Sequence, residues 1–150
     1  MKNRHKSNPL PVLTFRLGDQ KYALPIEDVV EVAAMVELTS IPDSRPGVLG
    51  VANRHGSVLT ILDLRRLFEL EASNIDSSTL FIAVSHEGKM AGLVVDEVYQ
   101  VEYVDSEAKQ ALPTAGKYIR DIVSHKGQLV QFISVPQLLG MVDEGVIEGR

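Results

Sequence analysis

An internal repeat constrains the fold of this 150-residue chain more than any other feature of its sequence. A shift of 71 residues places residues 51–68 on residues 122–139, and all eighteen positions then agree in being apolar or not, counting Pro136 as not apolar. Chance agreement in such a composition is about half of the positions. Gly56 falls on Gly127, inside a matching turn. Because there are only two copies, a solenoid of stacked repeats is excluded.

The repeat continues upstream, where residues 24–32 match residues 93–101 at a shift of 69 and Pro42 matches Pro113 at 71. Short apolar runs separated by glycine-containing turns are typical of small antiparallel barrels. The sequence therefore predicts an all-β chain with short helices, folded as two similar barrels. Each half of about 70 residues is marginal alone, so we expect the halves to share apolar surface, with a groove where they meet.

Local patterns add detail to this prediction. Residues 26–35 indicate a short turn followed by a strand, residues 64–70 indicate a short amphipathic helix, and residues 136–139 indicate a second one that begins at proline. Residues 53–57 and 124–128 are predicted hairpin turns.

The predicted organisation is a basic flexible tail (residues 1–11), one domain (12–142) and a C-terminal tail (143–150). Within the domain, the two copies span roughly residues 12–72 and 78–140, and the sequence leaves open whether strands exchange between the barrels.

Composition narrows the function classes. A net charge of −5 disfavours nucleic-acid binding. No apolar run approaches the length of a membrane helix, so no membrane insertion is expected. The chain has no cysteine, which excludes disulfides and thiolate zinc sites. These features predict a cytoplasmic protein.

No motif for a nucleophile, a phosphate-binding loop or a metal site is present, so the sequence predicts no enzyme activity, no cofactor and no metal. The histidines lie in the tail (His5) or in predicted turns (His55, His86, His125), where solvated side chains are expected. Two carboxylate pairs, at residues 27–28 and 96–97, occupy the same repeat position, which favours a structural role. Protein binding remains the main hypothesis.

Six short segments form an ordered series at characteristic distances: residues 15–25, 29–32, 41–42, 50–56, 59–65 and 91–98. This series resembles the CheW family of chemotaxis coupling proteins, over about residues 13–140. The resemblance implies two five-stranded SH3-like barrels. It also implies a non-catalytic adaptor that bridges chemoreceptor cytoplasmic tips to the regulatory domain of a CheA-type histidine kinase, with the receptor helices in the groove between barrels. The alternative is a barrel-pair module that binds proteins of an unrelated or divergent regulatory pathway.

Carried over residue by residue, the resemblance marks a set of partner-binding positions on one strand and one hairpin. They are Val29, Glu31, Gly50, Asn53, Arg54, His55 and Gly56.

The hairpin departs from the family pattern, which usually has Asn-Leu-Arg-Gly where this chain has Asn53-Arg54-His55-Gly56. His55 occupies the position of the functional arginine. If both residues were in a strand, Arg54 and His55 would point to opposite faces, so we expect Arg54 not to replace the missing guanidinium.

Overall fold

The computed structural model describes residues 9–42, 44–105, 109–110 and 116–145. These residues form eleven strands, one short 3-10 helix and two α-helices, so the predicted all-β architecture with short helices is confirmed. The elements are β1 (Pro9–Leu17), β2 (Gln20–Pro25), the 3-10 helix (Ile26–Asp28), β3 (Val29–Ala34), β4 (Val48–Arg54), β5 (Ser57–Asp63), α1 (Leu64–Leu67), β6 (Leu80–His86), β7 (Lys89–Val95), β8 (Glu97–Asp105), β9 (Lys109–Gln110), β10 (Ile119–His125), β11 (Gln128–Ile133) and α2 (Val135–Gly145).

The strands form two sheets. One, here called the β3 sheet, has the order β3-β6-β7-β5-β4; the other, the β8 sheet, has the order β8-β1-β2-β11-β10-β9. The β8 sheet therefore has five principal strands and the two-residue β9 at one end. Most neighbours are antiparallel, and the exceptions are the parallel pairs β5–β7 and β2–β11.

Strands are exchanged between the two copies of the repeat. The hairpin β1–β2, which belongs to the first copy, lies in the β8 sheet, and the hairpin β6–β7 of the second copy lies in the β3 sheet. Both parallel pairs join a strand of one copy to a strand of the other. Residues 12–72 and 78–140 thus describe copies of the sequence pattern, and each sheet combines strands from both.

The element ends differ from the sequence expectations. β1 begins at Pro9, so residues 9–11, assigned to the N-terminal tail, instead pair with residues 103–105 of β8. Pairing with β2 starts only at Val12, so the prolines Pro9 and Pro11 lie where the strand has a single neighbour, as a residue without an N–H requires. α2 continues from Val135 to Gly145, beyond the predicted residues 136–139 and into the range assigned to the C-terminal tail. Residues 1–8 and 146–150 lie outside the described residues.

Three apolar clusters hold the fold together. The largest contains buried residues of both sheets, such as Phe15 and Leu24 from the β8 sheet and Ile82 and Leu93 from the β3 sheet, together with Leu138 of α2. The two smaller clusters each draw on a single sheet. The halves therefore share a core, as their small size predicted.

Tight turns connect the hairpins. His55-Gly56, Glu87-Gly88 and Lys126-Gly127 all have positive φ at both residues, which is the type I′ geometry that matches the twist of paired strands. The two turns predicted at residues 53–57 and 124–128 are thus confirmed, with only two residues in each loop.

Candidate partner-binding site

The β4–β5 hairpin and strand β3 bring three of the sequence-predicted residues together. Nε of Arg54 lies 2.5 Å from Oε2 of Glu31, and Nε2 of His55 lies 3.4 Å from the same oxygen. Because β3 and β4 are the two end strands of their sheet, this cluster spans the gap between them. We call Glu31, Arg54 and His55 the hairpin cluster.

The expectation that Arg54 and His55 point to opposite faces is wrong. Arg54 is the last residue of β4 and pairs with Ser57, whereas His55 occupies the first position of the type I′ turn, with φ of 53°. The left-handed turn ends the strand alternation, so both side chains reach one carboxylate. Arg54 therefore brings a guanidinium to Glu31, from the position directly before the one where the family usually has arginine.

Arg54 is held from two sides. Its guanidinium carbon lies 5.6 Å from the ring centroid of Phe81, a buried residue of the β3 sheet core, while its Nε donates to Glu31. Chiefly because of this hydrogen bond, the pKa of Glu31 is lowered from its ordinary value, and the cluster keeps an ionised carboxylate at neutral pH. The His55 side chain remains exposed.

The two glycines serve backbone geometry. A Cβ at Gly50 would lie 2.5 Å from the carbonyl oxygen of Thr39, whose residue exchanges two backbone hydrogen bonds of 2.8 Å with Val51. Gly56 needs φ of 82° in the turn, with open space around it. Gly50 therefore allows a close backbone approach and Gly56 allows the turn.

Val29 and Asn53 are not part of the hairpin cluster. Val29 is partly buried and packs against the core between the sheets. Asn53 is exposed on β4 opposite Val58, a valine that is 68% exposed. Val58 was not singled out from the sequence, since an apolar residue in a strand pattern is normally assigned to the core.

Known proteins share the sequence pattern and the fold of this chain. The family model described as CheW-like domain matches residues 11–143, which is most of the chain. The chain belongs to the CheW-like domain family. Among curated relatives, "Chemotaxis protein CheW" of Helicobacter pylori is 27% identical over 92% of this chain and 86% of its own length. "Chemotaxis protein CheW" of Klebsiella aerogenes is 24% identical over 91% of this chain and 85% of its own length.

A solved structure has the same fold. The crystal structure of the scaffolding protein TtCheW from Thermoanaerobacter tengcongensis superposes with a TM-score of 0.76 at 26% identity, covering 84% of this chain and 89% of that chain. Together with the two sheets described above, this likeness confirms the predicted pair of SH3-like five-stranded barrels.

The second copy of the CheW-like repeat contains a different contact between a carboxylate and its hairpin. His125 follows Arg54 by 71 residues, and its Nε2 lies 3.2 Å from Oε1 of Glu102. The shift of 69 holds throughout β3, because β3 and β8 have the same register to β6 and β1 and bulge at the same point. Glu102 therefore corresponds to Ala33, and Gln100 stands at the position of Glu31.

Glu102 is buried and has more partners than Glu31. Lys21 Nζ lies 3.0 Å from its Oε2, and the Thr14 hydroxyl donates to the same oxygen at 2.8 Å. Burial raises the pKa of Glu102, but the hydrogen bonds from Lys21 and Thr14 outweigh it and lower the pKa overall. The His125 side chain is only 14% exposed, contrary to the expectation of a solvated turn residue.

His86 also departs from that expectation. Its Nδ1 lies 3.0 Å from Oδ1 of Asp28, which is buried at the end of the 3-10 helix. The carboxylate pairs at residues 27–28 and 96–97 thus each contribute a structural contact: Asp28 to His86, and Asp96 to Arg65 through two hydrogen bonds of 2.6 and 3.0 Å.

Among the described residues, no helix has the length and apolar character that a membrane span requires. No group of three or more histidine, aspartate or glutamate side chains there converges as a metal ion would require.

Proposed function

We propose that this chain is a non-catalytic coupling adaptor of bacterial chemosensory signalling, working in the cytoplasm beside membrane receptor arrays. It bridges the cytoplasmic signalling helices of a chemoreceptor to the regulatory domain of a CheA-type histidine kinase. The observation that carries this proposal is the CheW-like match over residues 11–143, supported by relatives whose names record chemotaxis and scaffolding.

The hairpin cluster supports a partner surface on the β3 sheet. Arg54, His55 and Glu31 place charges of both signs beside Val58, and Val30 and Val32 of β3 are also exposed. Apolar anchors surrounded by polar groups are what a protein–protein interface needs. Because Arg54 supplies the guanidinium next to Glu31, the changed hairpin retains the charge pair of the site.

A cleft between α1 and the β8 sheet offers a second surface, suited to a helix. The cleft, of about 520 Å³, opens beside the end of α1 and is lined by the rings of Tyr22, Phe68 and Tyr118. The rings form a ladder, with centroids 5.3 Å apart for Tyr22 and Phe68 and 6.3 Å apart for Phe68 and Tyr118. An amphipathic receptor helix would place its apolar face in such a groove.

The experiment measures binding of the full chain, by titration calorimetry, to a CheA-type regulatory domain and to a receptor signalling fragment separately. We expect micromolar binding to at least one. Val58→Ser is expected to weaken it about tenfold, because an exposed apolar anchor is lost. The matched control is Leu129→Ser, since Leu129 is 58% exposed and occupies the same repeat position in the other barrel. Absence of binding to both partners at tens of micromolar protein would contradict the adaptor role.

A rescue experiment tests the hairpin itself. Arg54→Leu removes the guanidinium from Glu31 and is expected to weaken binding. Adding His55→Arg restores the usual family sequence and should restore affinity, because His55 already lies 3.4 Å from the Glu31 carboxylate. If the double variant binds no better than Arg54→Leu, the assignment of Arg54 as the functional guanidinium fails.

A further inference from the structure

Strand β3 is held at its start by a histidine–aspartate pair that lies just before the residues proposed to meet a partner. Asp28 is 6% exposed and ends the 3-10 helix directly before Val29. Its Oδ1 lies 3.0 Å from Nδ1 of His86, the last residue of β6. β6 is the strand to which β3 pairs, with Val29 opposite Val84.

The backbone ladder is interrupted at this point. The register between β3 and β6 shifts between Val29 and Glu31, so that Val30 is an extra residue in β3. A bulge leaves its residue unpaired and weakens the ladder locally. The start of β3 therefore depends more than its remainder does on the side-chain contact between Asp28 and His86.

The surroundings of His86 are mainly acidic. Asp28 and Glu27 approach from the 3-10 helix, Glu87 Oε2 lies 3.8 Å from Nε2 of the ring, and Lys89 of β7 is its partner across the hairpin. The hydrogen bond to Asp28 is the main cause that raises the pKa of His86 above its ordinary value. A charged imidazolium also compensates the buried carboxylate, which would otherwise be costly.

We propose that His86 and Asp28 form a proton-dependent clamp on β3, closed when His86 is protonated and loosened when it is neutral. The clamp determines how rigidly Val29 and Glu31 are held in β3. Its consequence for partner affinity rests on the proposed function. Since His86 gains affinity for its proton on folding, the stabilisation is fully present below its unfolded pKa. It is lost as the pH rises through the folded pKa.

The test needs no partner, so its failure is distinct from failure of the adaptor role. Amide hydrogen exchange of the full chain is measured between pH 6 and pH 8.5 and corrected for the intrinsic rate at each pH. Protection of the amides of residues 29–34 should fall about threefold or more over this range in the wild type. In His86→Gln, which keeps a hydrogen-bond donor but does not titrate there, protection should not vary with pH.

The matched control is His55→Gln, because His55 is a second histidine that contacts β3, through Glu31. It should keep the wild-type pH dependence. If the dependence instead survives in His86→Gln and disappears in His55→Gln, or is absent from the wild type, the clamp is refuted. As a second measurement, the His86 ring is titrated by NMR in Asp28→Asn, where its pKa should fall; an unchanged value would equally overturn the proposal.

Discussion

Asp96 joins the two barrels, and its replacement by asparagine is the most informative stability test that the structure offers. The residue connects β7 of the β3 sheet to β8 of the other sheet. Its carboxylate accepts two hydrogen bonds from Arg65, which belongs to α1, and one of 2.7 Å from the Gly18 backbone N–H in the β1–β2 turn. Arg16 Nη1 lies 3.7 Å from the same group.

The expected loss of stability follows from counting the hydrogen bonds that the Asp96 carboxylate accepts. An asparagine at this position would have a single carbonyl oxygen, so it cannot serve Gly18 and both guanidinium nitrogens, and its amide N–H₂ would face donors. Arg65 would also keep a partly buried charge without its counter-ion. Asp96→Asn is therefore expected to lower the free energy of unfolding by about 3 kcal/mol. For a chain of this length that corresponds to a melting temperature lower by about 6–12 °C.

The assay is urea unfolding followed by far-ultraviolet circular dichroism, with Glu97→Gln as the matched control. Glu97 is the neighbouring carboxylate and contacts Arg16 at 3.2 Å, but it is exposed. Its replacement should cost less than about 0.5 kcal/mol, as is usual for surface ion pairs. If both variants lose the same small amount, Asp96 does not join the barrels in the way described.

The pH dependence gives an independent check of the same reasoning. Burial raises the pKa of Asp96, but the hydrogen bonds from Arg65 and Gly18 outweigh it, so its pKa is lowered below the ordinary value of 3.8. A depressed pKa contributes stability above the unfolded value that is lost as the pH falls through the folded value. The difference between wild type and Asp96→Asn should therefore shrink at strongly acidic pH. A difference that is unchanged or grows there would refute the electrostatic explanation.

Two further variants test backbone geometry. Glu69 has φ of 60° and follows Phe68, the C-cap of α1. Its N–H and that of Leu70 bond to the carbonyls of Arg66 and Arg65, and glycine is favoured at such a position. Glu69→Gly should therefore raise the free energy of unfolding by about 0.5–1 kcal/mol in the same urea assay, and a loss of stability would contradict this. Gly50→Ala should lower the free energy of unfolding by on the order of 2 kcal/mol, because its Cβ would meet the Thr39 carbonyl oxygen at 2.5 Å. The melting temperature of the free protein should fall by several degrees. An unchanged melting temperature in calorimetry would show that Gly50 has no such structural role.

The repeat predicted much of the fold because apolar alternation reports directly on which side chains enter a core. Both the matching hairpins and the shared core follow from it, and the glycine of each hairpin marks the turn. Strand exchange was not readable, because the hairpins β1–β2 and β6–β7 would have the same pattern in either sheet. Which sheet a hairpin joins depends on contacts distant in sequence, such as the parallel pair β2–β11.

The geometry of the candidate site was predicted less completely than the fold. The sequence predicted partner-binding residues on one strand and one hairpin, but the assumption of continued strand alternation placed Arg54 and His55 on opposite faces. The type I′ turn over His55-Gly56 ends the strand alternation before His55. The sequence signal for this turn was a glycine in the second position of a two-residue loop between two apolar runs. The histidine–carboxylate pairs are formed between residues far apart in sequence, 58 apart for Asp28 and His86, so no local pattern contained them.

The equivalent hairpins of the two copies meet different carboxylates. In the first copy, Arg54 and His55 reach Glu31, which is 29% exposed at its side chain. In the second copy Gln100 stands at the position of Glu31, and His125 instead approaches Glu102. Glu102 is 9% exposed at its side chain and also contacts Lys21 and Thr14, so it contributes mainly to the position of its own strands. A half-exposed pair keeps lone pairs and donors directed outward, so the proposed partner-binding role fits the hairpin of the first copy and not that of the second.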